Sequence, residues 1–350
     1  MSSLRERLVE RITREGPISF RDFMETALYD PRDGYYARGA AIGDAGDFVT
    51  SPTISPVFAA AIAQEFRRGT ESQRGPIDFV DVGAGDGRFL SDLAAALKKQ
   101  DPELAARVRL TAVERSARAR ERLRRRELPG TLCVCESVEE VPRASIRGWI
   151  FSNEFFDALP VVRVEGAADG PRELRVGLEN GRFVWVAAPA PEAVAKHLSA
   201  FGISLEPGQQ GEVALDAAPT YRTLCRALAS GSIVTFDYGH RAEILYHPLA
   251  RRRGTLAVHS AGRRGGDPLS RPGEIDLTAH VNWDDLRGVG EAEGLRTRGV
   301  FRQGRFLLEA GLLDLVESDA EKWRAYRLID PEGMGEELSV LIQTRAPAPL

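Results

Sequence analysis

The sequence predicts an α/β fold: a parallel, doubly wound sheet with an N-terminal helical extension and a mixed insertion containing a β-hairpin. Three observations carry this expectation. From residue 77 onward, short apolar runs alternate with stretches of helical period, and a β-α-β-α order builds a parallel sheet. The first 75 residues carry helical periodicity and no strand pattern. Asn180-Gly181 stands between two runs of alternating apolar residues, the strongest short hairpin signal.

Taken in order, Leu4, Leu8 and Ile12 recur every four residues, and helices are expected over 2–14, 19–28 and 55–67. Between the last two lies YDPRDGYYARGAAIGDAGDFVTSP. A loop of that length is uncommon as a plain connector in a compact domain and reads as functional. IDFVDVG (77–83) is a short buried strand, and 88–99 a helix with Phe89, Leu90, Leu93 and Leu97 on one face. Further strands are VRLTAVE (108–114), TLCVCE (131–136), WIFSNE (149–154) and SIVTFDYG (232–239). An exposed helix is expected over 115–128 and another over 217–229. Residues 161–187 read as a small antiparallel excursion, and roughly 240–280 as a second, polar insertion containing GTLAVHS. A helical region (303–327) and a strand, ELSVLIQT, close the chain, with APAPL as a disordered tail. The expected division is an extension over 1–75 with a cofactor or substrate loop, a core over 76–160 and 215–345, and an insertion over 161–214.

Composition bounds the function. With 350 residues, 43% hydrophobic and 28% charged, the chain can bury a sizeable core as two domains or one with insertions. A net charge of −4 argues against non-specific nucleic-acid binding, and the runs Arg124–Arg126 and Arg251–Arg253 read as solvated faces. Three cysteines are too few for a disulfide framework. Cys133 and Cys135 alternate in a strand with no nearby histidine to complete a metal set, so they read as reduced small hydrophobes and no metal is expected. The N-terminus has no signal-peptide apolar region, and no apolar run approaches the ~18 residues of a membrane span. A soluble, cytoplasmic protein is the expectation.

The stretch FVDVGAGDGRFL (79–90) joins a strand to a helix through three glycines. Glycines let the backbone turn sharply and approach a ligand, and the helix N-terminus supplies N–H donors. A dinucleotide fingerprint needs G-x-G-x-x-G. Gly83 and Gly85 fit its first two positions, but Arg88 occupies the third. D-x-G-x-G-x-G, from Asp81 to Gly87, is similar to the first motif of class I S-adenosylmethionine-dependent methyltransferases. Asp81 is then expected near the cationic amino-acid end of that cofactor. Glu114 ends the second strand, where an acid can accept both ribose hydroxyls. Glu136, Ser137 and Val138 follow the third strand and by analogy flank the adenine.

SNEFFDALP (152–160) follows the fourth strand. In open α/β sheets ligands sit beyond the carboxyl ends of strands, so Asn153, Glu154 and Asp157 should face cofactor and methyl acceptor. Phe155, Phe156 and Leu159 would wall the pocket; a helix cap with core phenylalanines is compatible with the same residues. Methyl transfer needs positioning, desolvation and, for some acceptors, a proton acceptor. An acidic pair suits a guanidinium, which carboxylates hold bidentately; Glu154 and Asp157 are the candidates.

With ALYDPRDGYY (27–36), GDFVTSPTISPVF (46–58), DVGAGDGRFL, SNEFFDALPV, FDYGH (236–240), PGEIDLTAHVNW (272–283), RQGRFLLEAGL (302–312) and GMGEELSVLIQ (333–343), the chain resembles the MidA-like family of class I methyltransferases, which includes the mitochondrial arginine methyltransferase involved in assembling respiratory complex I. The resemblance implies a Rossmann-like methyltransferase sheet, S-adenosyl-L-methionine as cofactor, and a protein arginine as acceptor, by family analogy in a respiratory-complex subunit. By matching motif it implies that Gly83, Gly85 and Gly87 line the cofactor turn. Thr50, Ser51 and Pro52 would lie in a loop closing near it, and Asn153 and Glu154 at the donor–acceptor junction. Asp237 and Tyr238 would end the fifth strand close by, with His280 facing the acceptor or serving as a structural hydrogen-bonding residue. Three positions depart from the family pattern: Thr53 where an acid is common, Asp86 where a cation is common, and Asp81 where Glu is common. Two other classes stay open: a cofactor-binding assembly factor or chaperone with little turnover, and an NAD(P)-linked oxidoreductase, against which Arg88 counts. The sequence leaves oligomeric state open.

Overall fold

A computed structural model of the chain describes residues 2–38, 50–126, 128, 132–260 and 263–347. The middle of the long N-terminal loop (39–49) and the last three residues of the tail lie outside the described residues. The N-terminal region supplies helices α1 (Leu4–Glu15), α2 (Phe20–Tyr29), α3 (Ser51–Ile54) and α4 (Pro56–Thr70). Ser3, Ser19 and Ser55 cap α1, α2 and α4 with side-chain oxygens, satisfying N–H groups that a helix start leaves unpaired. Then come strands β1 (Ile77–Val82), β2 (Val108–Val113), β3 (Leu132–Cys135) and β4 (Ile146–Asn153), interleaved with α5 (Arg88–Gln100), α6 (Pro102–Ala105) and α7 (Ala117–Arg125).

The first insertion forms a four-stranded sheet from β5 (Val162–Ala167), β6 (Gly170–Glu179), β7 (Arg182–Pro189) and β8 (Gln210–Val213), with α8 (Glu192–Ala200) before β8. Asn180 (φ 49°) and Gly181 (φ 73°) make the turn between β6 and β7, the left-handed pair a tight hairpin demands. Helix α9 (Ala217–Ala227) leads into β9 (Leu228–His240). The second insertion adds a three-stranded sheet of β10 (Ala257–Ser260), β11 (Arg263–Arg264) and β12 (Asp276–Thr278). Strands β13 (Val281–Asn282), β14 (Arg296–Arg302) and β15 (Leu338–Arg345) complete the chain.

The central sheet runs β14-β15-β9-β4-β1-β2-β3. Its first five strands in sequence, β1 to β4 and β9, are parallel. The sheet is not parallel throughout, because β15 lies antiparallel to both β9 and β14. Strand β14, RTRGVFR, falls between expected elements: its charged, alternating residues occupy a sheet edge and leave no apolar run to read. Helices α4 and α5 cover one face, with Phe306, Leu307, Ala325 and Leu328 from the C-terminal region. Helix α9 and the helix Trp283–Ala292 cover the other.

A second core joins α1 and α2 to both insertions. Phe20 and Phe23 pack against Trp185 and Phe183 of β7, and Ile18 bridges Val176 of β6. Packing therefore divides the chain differently from a boundary at residue 75: α4 belongs to the central-sheet core, and α1 and α2 to the core shared with the insertions. Cys135 is buried, and Cys133 is exposed on edge strand β3 rather than a core residue.

Candidate functional site

The carboxyl ends of the parallel strands open onto one cavity of about 980 Å³. Strand order reverses between β4 and β1, the crevice where open α/β sheets bind ligands. Gly83, Gly85 and Gly87 all take positive φ, 80°, 55° and 78°, which glycine adopts without a Cβ penalty. Their duties differ. The Gly83 and Ala84 N–H groups both donate to the Val113 carbonyl, at 2.9 and 3.1 Å. A Cβ on Gly83 would press on Phe155 at 3.0 Å, and one on Gly87 would strike Leu123 of α7 at 2.3 Å. A Cβ on Gly85 would meet nothing within 4 Å, and this glycine lines the cavity. Gly87 does not line it; it caps α5 in the left-handed conformation.

Glu114 ties the glycine turn to β2. Its carboxylate accepts the Gly85 N–H at 2.9 Å and the Ser116 N–H at 2.7 Å, while burial raises its pKa. Asp81, 4% exposed at the end of β1, faces the same space; burial and the neighbouring Glu114 push it up to about 8. Ser137, Val138 and Glu136 line the wall beyond β3, with Glu136 paired to Arg120. Asp86 pairs with Arg126 at 2.8 Å, so it braces the turn against the end of α7.

The loop from Thr50 closes the opposite side. Thr50, Pro52 and Thr53 line the cavity. Ser51, expected on the cofactor, turns its hydroxyl away to Gln303 at 2.9 Å and is fully buried; only its N–H reaches the site, donating to Glu154 Oε1 at 3.4 Å. Thr53 is spent on the loop itself. Its hydroxyl donates to the Thr50 carbonyl and accepts the Thr50 N–H.

At the end of β4 the chain turns sharply. Glu154 has φ 49°, uncommon for a residue with a Cβ. Its N–H donates to the Phe236 carbonyl of β9 at 2.9 Å, and its Oε1 accepts from Asn153 Nδ2 at 2.9 Å. Burial pushes Glu154 up to about 7. The N–H groups of Phe155, Phe156 and Asp157 all point at Asp237 Oδ2, at 3.2, 2.8 and 3.4 Å. Asp157 is buried beside Asp237, Glu154 and Asp276, and burial with these like charges raises its pKa well above the usual range. Phe155 and Leu159 line the cavity. Phe156 does not: it packs into the core against Tyr221.

The extension and second insertion bring groups that were not nominated from the sequence. Tyr29 stacks on Tyr36 with centroids 5.4 Å apart, and Tyr36 donates to Asp276 Oδ1 at 3.0 Å. Asp276, 1% exposed, His259 and Arg264 also line the cavity. The available signal is an acid inside an apolar run, IDLTAHV, within one of the segments that carry the family resemblance. His280 stacks near Tyr238 and His240. Burial, His240 and the nearby arginines push it down to about 3, so its ring is neutral at physiological pH. Among the described residues no Lys or Arg pairs with Glu154, Asp157 or Asp237, and no cluster of His, Cys, Asp and Glu could hold a metal ion. No described helix is long and apolar enough to cross a membrane.

Residues 57–301 match a family model described as "Putative S-adenosyl-L-methionine-dependent methyltransferase". Over 342 residues the chain is 28% identical to the protein arginine methyltransferase NDUFAF7, mitochondrial, of Xenopus tropicalis, covering 89% of this chain and 76% of that protein. To the human protein of the same name it is 26% identical, covering 95% and 81%. A Burkholderia thailandensis protein crystallised with S-adenosyl-homocysteine superposes with a TM-score of 0.86 at 32% identity, covering 98% of this chain and 92% of that one.

Proposed function

The chain belongs to the S-adenosyl-L-methionine-dependent methyltransferases, and from that premise we propose that it methylates the guanidinium of a protein arginine. One observation carries the choice of acceptor: Glu154, Asp157 and Asp276 gather at the end of the cavity beyond β4. Stacked carboxylates raise one another's pKa, and a bound cation relieves that repulsion. A guanidinium fits, because its planar fork donates to two carboxylate oxygens at once. The relatives named as protein arginine methyltransferases point the same way.

The residues also suit the cofactor. Gly85 leaves open space where a side chain would stand, Glu114 ends β2 as a hydroxyl acceptor, and Asp81 is a buried acid that a cationic amino group would stabilise. When bound, S-adenosylmethionine supplies a methyl group on a sulfonium and leaves as the neutral thioether with the C–S bonding pair. Glu154 and Asp157 orient the guanidinium, and Glu154 takes the proton that the nitrogen gives up as it gains the methyl. Phe155 and Leu159 keep water from that contact.

Calorimetry with S-adenosylmethionine and with NAD comes first; binding of the former alone is expected, and its absence would remove the reading. Tritiated S-adenosylmethionine is then incubated with the protein and a proteome from cells lacking the gene. Label recovered in methylarginine supports the proposal, and label confined to other residues overturns it. Glu154→Gln should lower incorporation at least a hundredfold with cofactor affinity within about threefold. Cofactor binding without any label would mark a binding protein with little turnover.

A further inference from the structure

We infer that Asp237 is a positioning residue that sets the geometry of the catalytic turn, acting through the main chain of residues 155–157. This rests on the methyl-transfer reading above and assigns work to a group that reading leaves unused.

Asp237 lies on β9 next to β4, where Asn153 pairs with Phe236. It is fully buried. Four main-chain N–H groups converge on its carboxylate: those of Phe155, Phe156 and Asp157 on Oδ2 and that of Tyr238 on Oδ1, the last at 2.9 Å. No ion pair or side-chain donor among the described residues shares it.

The convergence directly follows the turn at Glu154. A left-handed residue next to right-handed ones can aim successive N–H groups into one concave nest for an anion. Glu154 at φ 49° supplies that kink. The two facts account for each other: the kink aims three donors at Asp237, and Asp237 holds the kink in place. Without the acceptor, two buried N–H groups and one half-buried one would lose their partner, and each such loss is expensive. Glu154 would then relax toward ordinary backbone angles and swing its carboxylate off the cavity. Asp237 itself touches no cavity space.

Asp237 lies among other buried acids. The titratable groups around the turn are Glu154 and Asp157 on the turn, Asp276 on β12, Tyr36 from the extension and Tyr238 beside Asp237. Asp237 raises the pKa of Asp157, and burial together with Glu154 raises that of Asp237 itself well above the usual carboxylate range.

Two variants of the full chain test this assignment. Each is assayed for thermal stability by melting, for S-adenosyl-homocysteine affinity by calorimetry and for tritiated methyl transfer into the proteome described above. Asp237→Asn keeps an oxygen for the 155–157 donors. It should retain transfer within about tenfold, with thermal stability and cofactor affinity close to the parent's. Asp237→Ala loses the acceptor and should lose transfer at least a hundredfold, with cofactor affinity within about threefold of the parent. A merely structural aspartate predicts transfer lost only in step with thermal stability and cofactor affinity in both variants. Transfer within tenfold in Asp237→Ala, or a loss beyond tenfold in Asp237→Asn, overturns the inference. If Asp237→Ala does not fold, Asp237→Asn decides alone, and a loss of transfer beyond tenfold in it overturns the inference. Failure of the underlying reading looks different, because the parent protein itself then shows no label in methylarginine.

Discussion

At the scale of one residue, Glu154 concentrates the chemistry. Its left-handed backbone is unfavourable by roughly 1–2 kcal/mol for a residue with a Cβ, and its neighbours hold it there: the Phe236 carbonyl takes its N–H and Asp237 takes the next three. Strain retained where surroundings enforce it is a mark of a working position. Burial pushes its carboxyl to about 7, and a proton acceptor works only when ionised. Methyl transfer should therefore rise about tenfold per pH unit below 7 and level off above it. Initial rates between about pH 5.5 and 8.5 check this; a flat profile would demote Glu154 from proton acceptor. Asn153 provides the side-chain donor that lowers the Glu154 pKa. Asn153→Ala should move the limb to higher pH.

At the scale of elements, the three glycines of one turn answer to different pressures, and substitution should separate them. Gly87→Ala places a Cβ 2.3 Å from Leu123 at φ 78°, so overpacking and backbone strain should destabilise the fold by about 2–4 kcal/mol. Gly85→Ala meets no protein atom; its penalty is the backbone term, roughly 1–2 kcal/mol, and its methyl enters the space left for the ligand. Thermal melts should show the larger loss in Gly87→Ala. Calorimetry with S-adenosyl-homocysteine should show at least a tenfold loss in Gly85→Ala; equal affinities in the two variants would contradict the assignment. The motif was legible as spacing, but spacing could not divide labour among identical residues. Only packing against Phe155 and Leu123 does that. The same limit applies to Ser51, whose hydroxyl goes to Gln303 some 250 positions away in the sequence. Phe156 turns inward to Tyr221 for a similar reason. Of the central-sheet strands read from apolar runs, all but the short edge strand β3 lie inside the sheet. Strand β14 went unread because an edge strand keeps charges on its open side. Asp276 went unread because it reaches the site from a second sheet, and no periodicity reports which distant sheet faces a cavity.

At the scale of the whole molecule, two cores flank one acidic cavity: the central sheet supplies Asp81, Glu154 and Asp157, and the core shared by extension and insertions supplies Tyr36 and Asp276. Collecting buried acids makes stability depend on pH, and the sign follows from the shifts. Asp81 is raised from 3.8 to about 8 and Glu154 from 4.5 to about 7. The folded state then binds more protons than the unfolded one between about pH 4 and 8, so these acids favour folding at the low end and lose that contribution as pH rises. His280 and His240 act oppositely, being lowered to about 3 and about 4; their effect is confined below the unfolded histidine value of 6.5. Between about pH 6.5 and 8 the acids therefore act without the histidines, and the melting temperature of the free protein should fall across that window. Asp81→Asn should flatten the fall. A cationic ligand restores what deprotonation removes, because it pairs with the carboxylates in their charged form. The melting shift produced by S-adenosylmethionine should thus be larger at pH 8 than at pH 6.5. The shift produced by S-adenosyl-homocysteine, which keeps the ammonium and lacks the sulfonium charge, should grow less. Melting curves of the free, S-adenosylmethionine-bound and S-adenosyl-homocysteine-bound protein at the two pH values test all three statements. A free-protein melting temperature that rises between pH 6.5 and 8 would mean that the cavity acids are already neutralised by groups of the protein itself, and the case for a cationic acceptor would lose its electrostatic basis.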